Sequence, residues 1–73
     1  VTFEQRIGAV LRQLRRERAL TADGVSAQLG YSRGVVSQWE RGERNFDVDD
    51  LFGLAAIYEM RPGFLLSLLA VAA

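Results

Sequence analysis

The chain has 73 residues, of which 49% are hydrophobic and 25% charged, a balance that suits one small globular domain spanning residues 1–73. It contains no cysteine and no histidine, which excludes a disulfide scaffold, a thiolate or imidazole metal site and any Ser-His or Cys-His nucleophile. Its formal net charge is zero, yet the charge is divided: residues 1–44 carry eight arginines against five acids, and residues 45–73 carry one arginine against four acids. There is no lysine. Arginine is the better partner for phosphate and guanine, although a codon bias toward arginine accounts for the same fact.

Helical periodicity runs through the whole chain. Phe3, Ile7, Val10, Leu11 and Leu14 form one apolar stripe, which predicts a first helix over about 3–18 that ends near Ala19-Leu20. Thr21 is a good N-cap for a second helix over about 22–29, with Val25, Ser26 and Leu29 inward. Gly24 weakens that helix by roughly 1 kcal/mol against alanine, and Gly30 ends it. Ser32 is the expected N-cap of a third helix over about 33–41, with Val36 and Trp39 inward, Val35 partly so, and Gly42 as the stop. Asp47 caps a fourth helix over about 48–58, burying Val48, Leu51, Leu54, Ala55 and Tyr58. Pro62 opens a short fifth helix carrying Phe64, Leu65, Leu68 and Leu69. No alternating run reaches strand length. The expected fold is therefore all-α, a compact bundle of four to five short helices containing helix, Gly-containing turn and helix between Thr21 and Gly42.

The segment from Leu20 to Asn45 resembles the Cro/CI-type (XRE) helix-turn-helix family, whose members have the lambda-repressor-like fold. Its most specific part is Leu29-Gly30-x-Ser32 followed by Val36-Ser37-x-Trp39-Glu40-x-Gly42. The likeness extends from Arg6 through Leu51-Phe-Gly-Leu-Ala55 to Phe64-Leu65-Leu66. Four positions depart from the family pattern. Ala22 stands in place of a frequent phosphate-gripping glutamine, Gly24 lies within helix two, Phe46 replaces a frequent proline, and Glu59 replaces the glycine that usually ends helix four.

The resemblance implies a transcriptional regulator, most often a repressor, that binds double-stranded DNA with helix three in the major groove. On that reading Arg33, Gly34, Ser37 and Gln38 face base edges, since arginine bridges guanine O6 and N7 and glutamine bridges adenine N6 and N7. Taken alone, these residues read as a solvated helix face. Thr21, Arg41, Arg44 and Asn45 are the expected backbone contacts, which set register without reading sequence. Thr21 also caps, and Arg44 could instead pair with Glu43 or Glu40. The family further implies an ion pair between Arg15 and Glu40, which makes both scaffold residues.

The apolar stretch from Phe64 to Ala73 is too short to span a bilayer and too apolar to be all surface. Leu65 and part of the Leu68/Leu69 pair must finish the core, and Leu66, Leu69 and Val71 are the expected interface of a homodimer, or of a further domain or protein partner at the same segment, with Leu69 also a core candidate. The competing reading is an antitoxin-like or adaptor module that binds protein more than DNA. No enzyme activity and no cofactor is expected. The family implies a cytoplasmic, nucleoid-associated protein of bacterial or phage type.

Overall fold

The computed structural model describes residues 1–73 as five helices: α1 (Phe3–Glu17), α2 (Ala22–Gln28), α3 (Val35–Glu40), α4 (Val48–Ile57) and α5 (Pro62–Ala72). The first helix begins at a capping box. The Thr2 hydroxyl accepts from the Gln5 amide at 3.1 Å, and the Gln5 side chain accepts from the Thr2 amide at 3.0 Å. Thr21 caps α2, and Asp47 makes a second capping box with Asp50 at the start of α4. Gly30 and Gly42 close α2 and α3 in the left-handed region, as their positions predict.

Packing follows the apolar stripes. α1 lies against α3 and α5, α2 against α3 and α4, and α4 against α5. Leu11, Val25, Val36, Leu54, Tyr58 and Leu65 are almost completely withdrawn from solvent, with Trp39 close behind. Val35, expected to be partly inward, is buried. Three expected core residues lie outside: Phe3, Val48 and Phe64 each stand at the first turn of a helix, where the chain has not yet reached the core, and each is more than half exposed. Leu69 corrects the reading of the C-terminal segment in the other direction. It is 3% exposed and completes the core beside Leu65, so only Leu66 and Val71 of the three expected interface residues are open to solvent. No single helix is long and apolar enough to cross a membrane.

Arg15 joins the two halves of the helix-turn-helix to α1. Its Nε donates to Glu40 Oε2 at 2.8 Å, its Nη2 to Glu40 Oε1 at 2.9 Å and its Nη1 to the Leu20 carbonyl at 2.8 Å. The Arg15 and Glu40 side chains are only 13% and 5% exposed, and the Glu40 carboxylate raises the Arg15 pKa above its ordinary value. Arg18 performs a similar task at the other end. Its guanidinium donates to the carbonyls of Leu14 at 2.8 Å and Tyr58 at 2.7 Å, and it lies 5.7 Å from the centre of the Tyr58 ring. Thus the C-terminal carbonyls of α1 and α4 share one cation. The helix-four stop at Glu59, without the family glycine, is reached all the same: Glu59 takes φ +56°, a left-handed conformation that disfavours side chains by roughly 1–2 kcal/mol.

Glycine matters most where α1 meets α3. A Cβ on Gly8 would lie 2.3 Å from the Glu40 carbonyl oxygen, so the two helices touch backbone to backbone. Gly63, in the first turn of α5, has open space around it and an ordinary φ. Helix propensity alone would favour alanine at both sites by up to about 1 kcal/mol. Gly63→Ala should therefore raise stability by about 0.5–1 kcal/mol, whereas Gly8→Ala should lower it by about 2 kcal/mol or more through forced separation of α1 and α3. Urea titrations of the two variants check this, and a stabilised Gly8→Ala would contradict the close approach.

The shielded ion pair makes a second expectation. Glu40→Gln leaves the Arg15 charge without its counterion and should cost about 3 kcal/mol. Arg15→Met together with Glu40→Gln should cost clearly less than the sum of the two single changes, as measured in a double-mutant cycle. Additive losses would mean that the residues do not interact.

Tyr58 supplies a third. Burial pushes its phenol up to about 12, with the nearby Glu40 carboxylate adding to the shift, against about 10 in the unfolded chain. The fold therefore holds this proton more tightly than the unfolded chain does. The resulting stability is fully present below pH 10 and is lost as pH rises through 12. Up to about 3 kcal/mol should disappear across that window, and Tyr58→Phe should flatten the alkaline limb of a stability-against-pH curve. An identical alkaline loss in the variant would assign it to other groups.

Candidate nucleic-acid interface

The two helices of the central motif are held together by a buried hydroxyl. Ser26, on α2, donates to the Ala22 carbonyl at 3.0 Å and accepts from the Val36 amide at 3.1 Å. That second bond satisfies one of the free amides at the start of α3 from a neighbouring helix. Ser32 consequently does not cap α3. The helix begins at Val35, two residues later than the sequence suggests, because Gly34 sits at φ +93° and a left-handed residue cannot continue a right-handed helix. Nothing lies within 4 Å of a Cβ built on Gly34, so the dihedral and not the available space calls for glycine there.

This moves Arg33 and Gly34 from the helix into the turn that precedes it. Arg33 is exposed, and its Nε donates to Asp23 Oδ2 at 2.9 Å across the turn. Ser37 is half-buried and lines a shallow polar groove of about 170 Å³ with Arg12, Arg15, Glu40 and Arg41. Gln38 is half-buried, and its Oε1 accepts from Arg44 Nη1 at 3.3 Å. Arg44 therefore meets Gln38 of α3 and neither Glu43 nor Glu40. Arg41 pairs with Glu43 at 3.1 Å, an exposed contact that raises its pKa. Asn45 is exposed in the loop after α3. Thr21 is exposed at the start of α2, where its hydroxyl already accepts from the Gly24 amide at 3.0 Å. Gly24 does not prevent α2 from forming, and a Cβ there would meet the capping hydroxyl at 2.8 Å.

The loop that carries Arg44 and Asn45 is anchored by aromatic residues. Trp39 packs in edge-to-face arrangements with Tyr31 and with Phe46, at 5.6 and 5.8 Å between ring centres. The Tyr31 hydroxyl donates to Asp50, and this bond raises the tyrosine pKa. Asp50 in turn belongs to the capping box of α4. Turn, α3, loop and α4 are thus one connected unit, with Phe46 packed on Trp39 at the position where the family often has proline. Sequence reasoning missed Asp23, Tyr31 and Asp50 as parts of this region. Their partners lie 10 and 19 residues away, and no local spacing signals such pairs.

Comparison with known proteins agrees with this geometry. A family model described as a helix-turn-helix domain matches residues 6–69. An uncharacterized HTH-type transcriptional regulator, y4dJ, of Sinorhizobium fredii is 43% identical over 49 residues, which are 67% of this chain and 64% of that protein's length. The crystal structure of the restriction-modification controller protein C.AhdI from Aeromonas hydrophila superimposes with a TM-score of 0.73 at 30% identity, covering 81% of this chain and 86% of that one. With the model matching most of its length and the turn geometry in place, the chain belongs to the helix-turn-helix domain family, as its resemblance to the Cro/CI-type members implied.

Proposed function

We propose that this protein is a sequence-specific double-stranded-DNA-binding transcriptional regulator, most simply a repressor, that inserts α3 and the turn before it into the major groove. The observation that carries the reading is the cluster of solvent-accessible arginine and amide side chains on the second half of the helix-turn-helix. Arg33 lies in the turn, Gln38 on α3, and Arg44 and Asn45 in the following loop, which packs beside Trp39 and Phe46. Arg33 and Gln38 are the base readers. Ser37 and Gly34 make shorter-range contributions, and Gly34 lets the backbone come close. Arg41, Arg44, Asn45 and Thr21 hold phosphates and set register. The names of the relatives, a transcriptional regulator and a controller protein, support the same role.

A single unit of this size reads few bases, and two units on a two-fold axis read half-sites about one helical turn apart. We assign the dimer contact to the exposed apolar residues of α5, chiefly Leu66 and Val71, with Phe64 alongside. A second reading, a protein-binding module, draws on the same residues together with exposed Phe52 on α4.

Selection on random DNA should return a palindromic site with that spacing. Arg33→Ala and Gln38→Ala should each lose about 1–3 kcal/mol at the selected site and relax one base position. Arg44→Ala should weaken all sequences alike and reduce the salt slope by about one phosphate. Leu66→Asp should diminish two-copy occupancy in sedimentation with the selected DNA while helicity stays intact. Failure to enrich any sequence would favour the protein-binding module, and one copy per site at saturation would rule out the dimer.

A further inference from the structure

Asp23 is an acid where the proposed interface has no use for one. It lies in the first turn of α2, two residues from Thr21, which the proposed function sets against phosphate. A carboxylate there repels DNA of every sequence and weakens binding by simple charge. Its place at a helix N-terminus is favourable for the helix itself, but any exposed acid in that turn would serve. What distinguishes Asp23 is its bond to Arg33. Oδ2 accepts from Nε at 2.9 Å, while neither Nη1 nor Nη2 of Arg33 makes a hydrogen bond within the chain. The carboxylate thus grips the inner edge of the guanidinium and leaves its outer fork free. The free fork is the part of arginine that spans guanine O6 and N7.

The pair is exposed in the free domain, with side chains 88% and 48% accessible, so it adds little to folding. Its effect lies in orientation. Arginine has many rotamers to lose on reaching a base, and a partner that holds the guanidinium plane in advance removes part of that loss. Entry into the groove also displaces water and strengthens the attraction. The left-handed turn at Gly34 contributes by keeping Arg33 off the helix and across from α2.

We propose that Asp23 is a specificity-determining positioning residue, which acts through Arg33 to aim its fork at one guanine. The proposal rests on the DNA-binding reading above. The test uses the selected duplex and the same duplex changed only at the base pair that Arg33→Ala relaxes. Affinities of wild type, Asp23→Asn, Arg33→Ala and the double variant are measured for both, with thermal melts as the folding control. Asp23→Asn should keep its melting temperature and lose about fivefold or more of the discrimination at that base pair, with other positions unchanged. In the Arg33→Ala background, the same change should leave discrimination where it is and only tighten binding to both duplexes. Equal tightening in the wild-type background, with discrimination intact, would show Asp23 to be a repulsive charge only and overturn the proposal. If Arg33→Ala relaxes no position, the base-reading role of Arg33 fails first and the proposal with it, an outcome that Asp23 variants do not enter.

Discussion

The Arg15 guanidinium is the joint on which the domain is assembled. It reaches both oxygens of Glu40 at the end of α3 and the Leu20 carbonyl just before α2. One planar group thereby sets the position of α3 relative to the helix that supports it and the entry of the chain into the motif. Arginine suits this task because its donors are fixed in a fork, so three bonds are made without three separate orderings of a flexible chain. The price is a charge pair withdrawn from water, which holds only while both members are present. Gly8 makes the arrangement possible, since the absence of a side chain lets α1 approach the Glu40 backbone closely enough for the fork to close.

Given that joint, the start of α3 is decided by its neighbour and not by its own flank. Ser26 supplies from α2 the bond that a local cap would otherwise supply, and Gly34 turns the chain sharply just before the helix. The six-residue helix that results is too short to persist alone. It is held by Val35, Val36 and Trp39 in the core and by Arg15 at its end. Gln38, which points away from that core, is thereby placed on a rigid platform without being part of it. The same division appears in the loop beyond, where Trp39, Phe46, Tyr31 and Asp50 restrain the backbone and Arg44 and Asn45 are left exposed.

The charge asymmetry along the chain is offset locally in the fold, since Arg33 pairs with Asp23 and Arg41 with Glu43. Arg33, Arg41 and Arg44 stand in or beside the helix-turn-helix, while the second half presents apolar side chains at Phe52, Phe64, Leu66 and Val71. A net charge of zero therefore coexists with exposed arginines on the motif and exposed apolar side chains on α4 and α5.

The sequence by itself determined the all-helical character and the order of the helices, because apolar spacing, Thr21, Asp47 and Pro62 as starts, and Gly30 and Gly42 as stops are all local signals that act within one turn. It also marked most of the residues that face outward on the motif. Through the family likeness it implied the Arg15–Glu40 pair, 25 residues apart, which no spacing rule could have found. Only the tertiary structure decided where α3 begins, that Leu69 is core while Leu66 and Val71 are surface, and that Arg33 lies against Asp23 and Arg44 against Gln38. Leu66 and Leu69 are three apart on a helix of nearly uniform hydrophobicity, so periodicity has no polar face against which to orient it. The cap of α3 comes from Ser26, ten residues upstream, and the side-chain pairs cross turns. These features depend on which surfaces meet once the helices pack, and the physical reason they escape the sequence is that each is satisfied by a partner outside its own element.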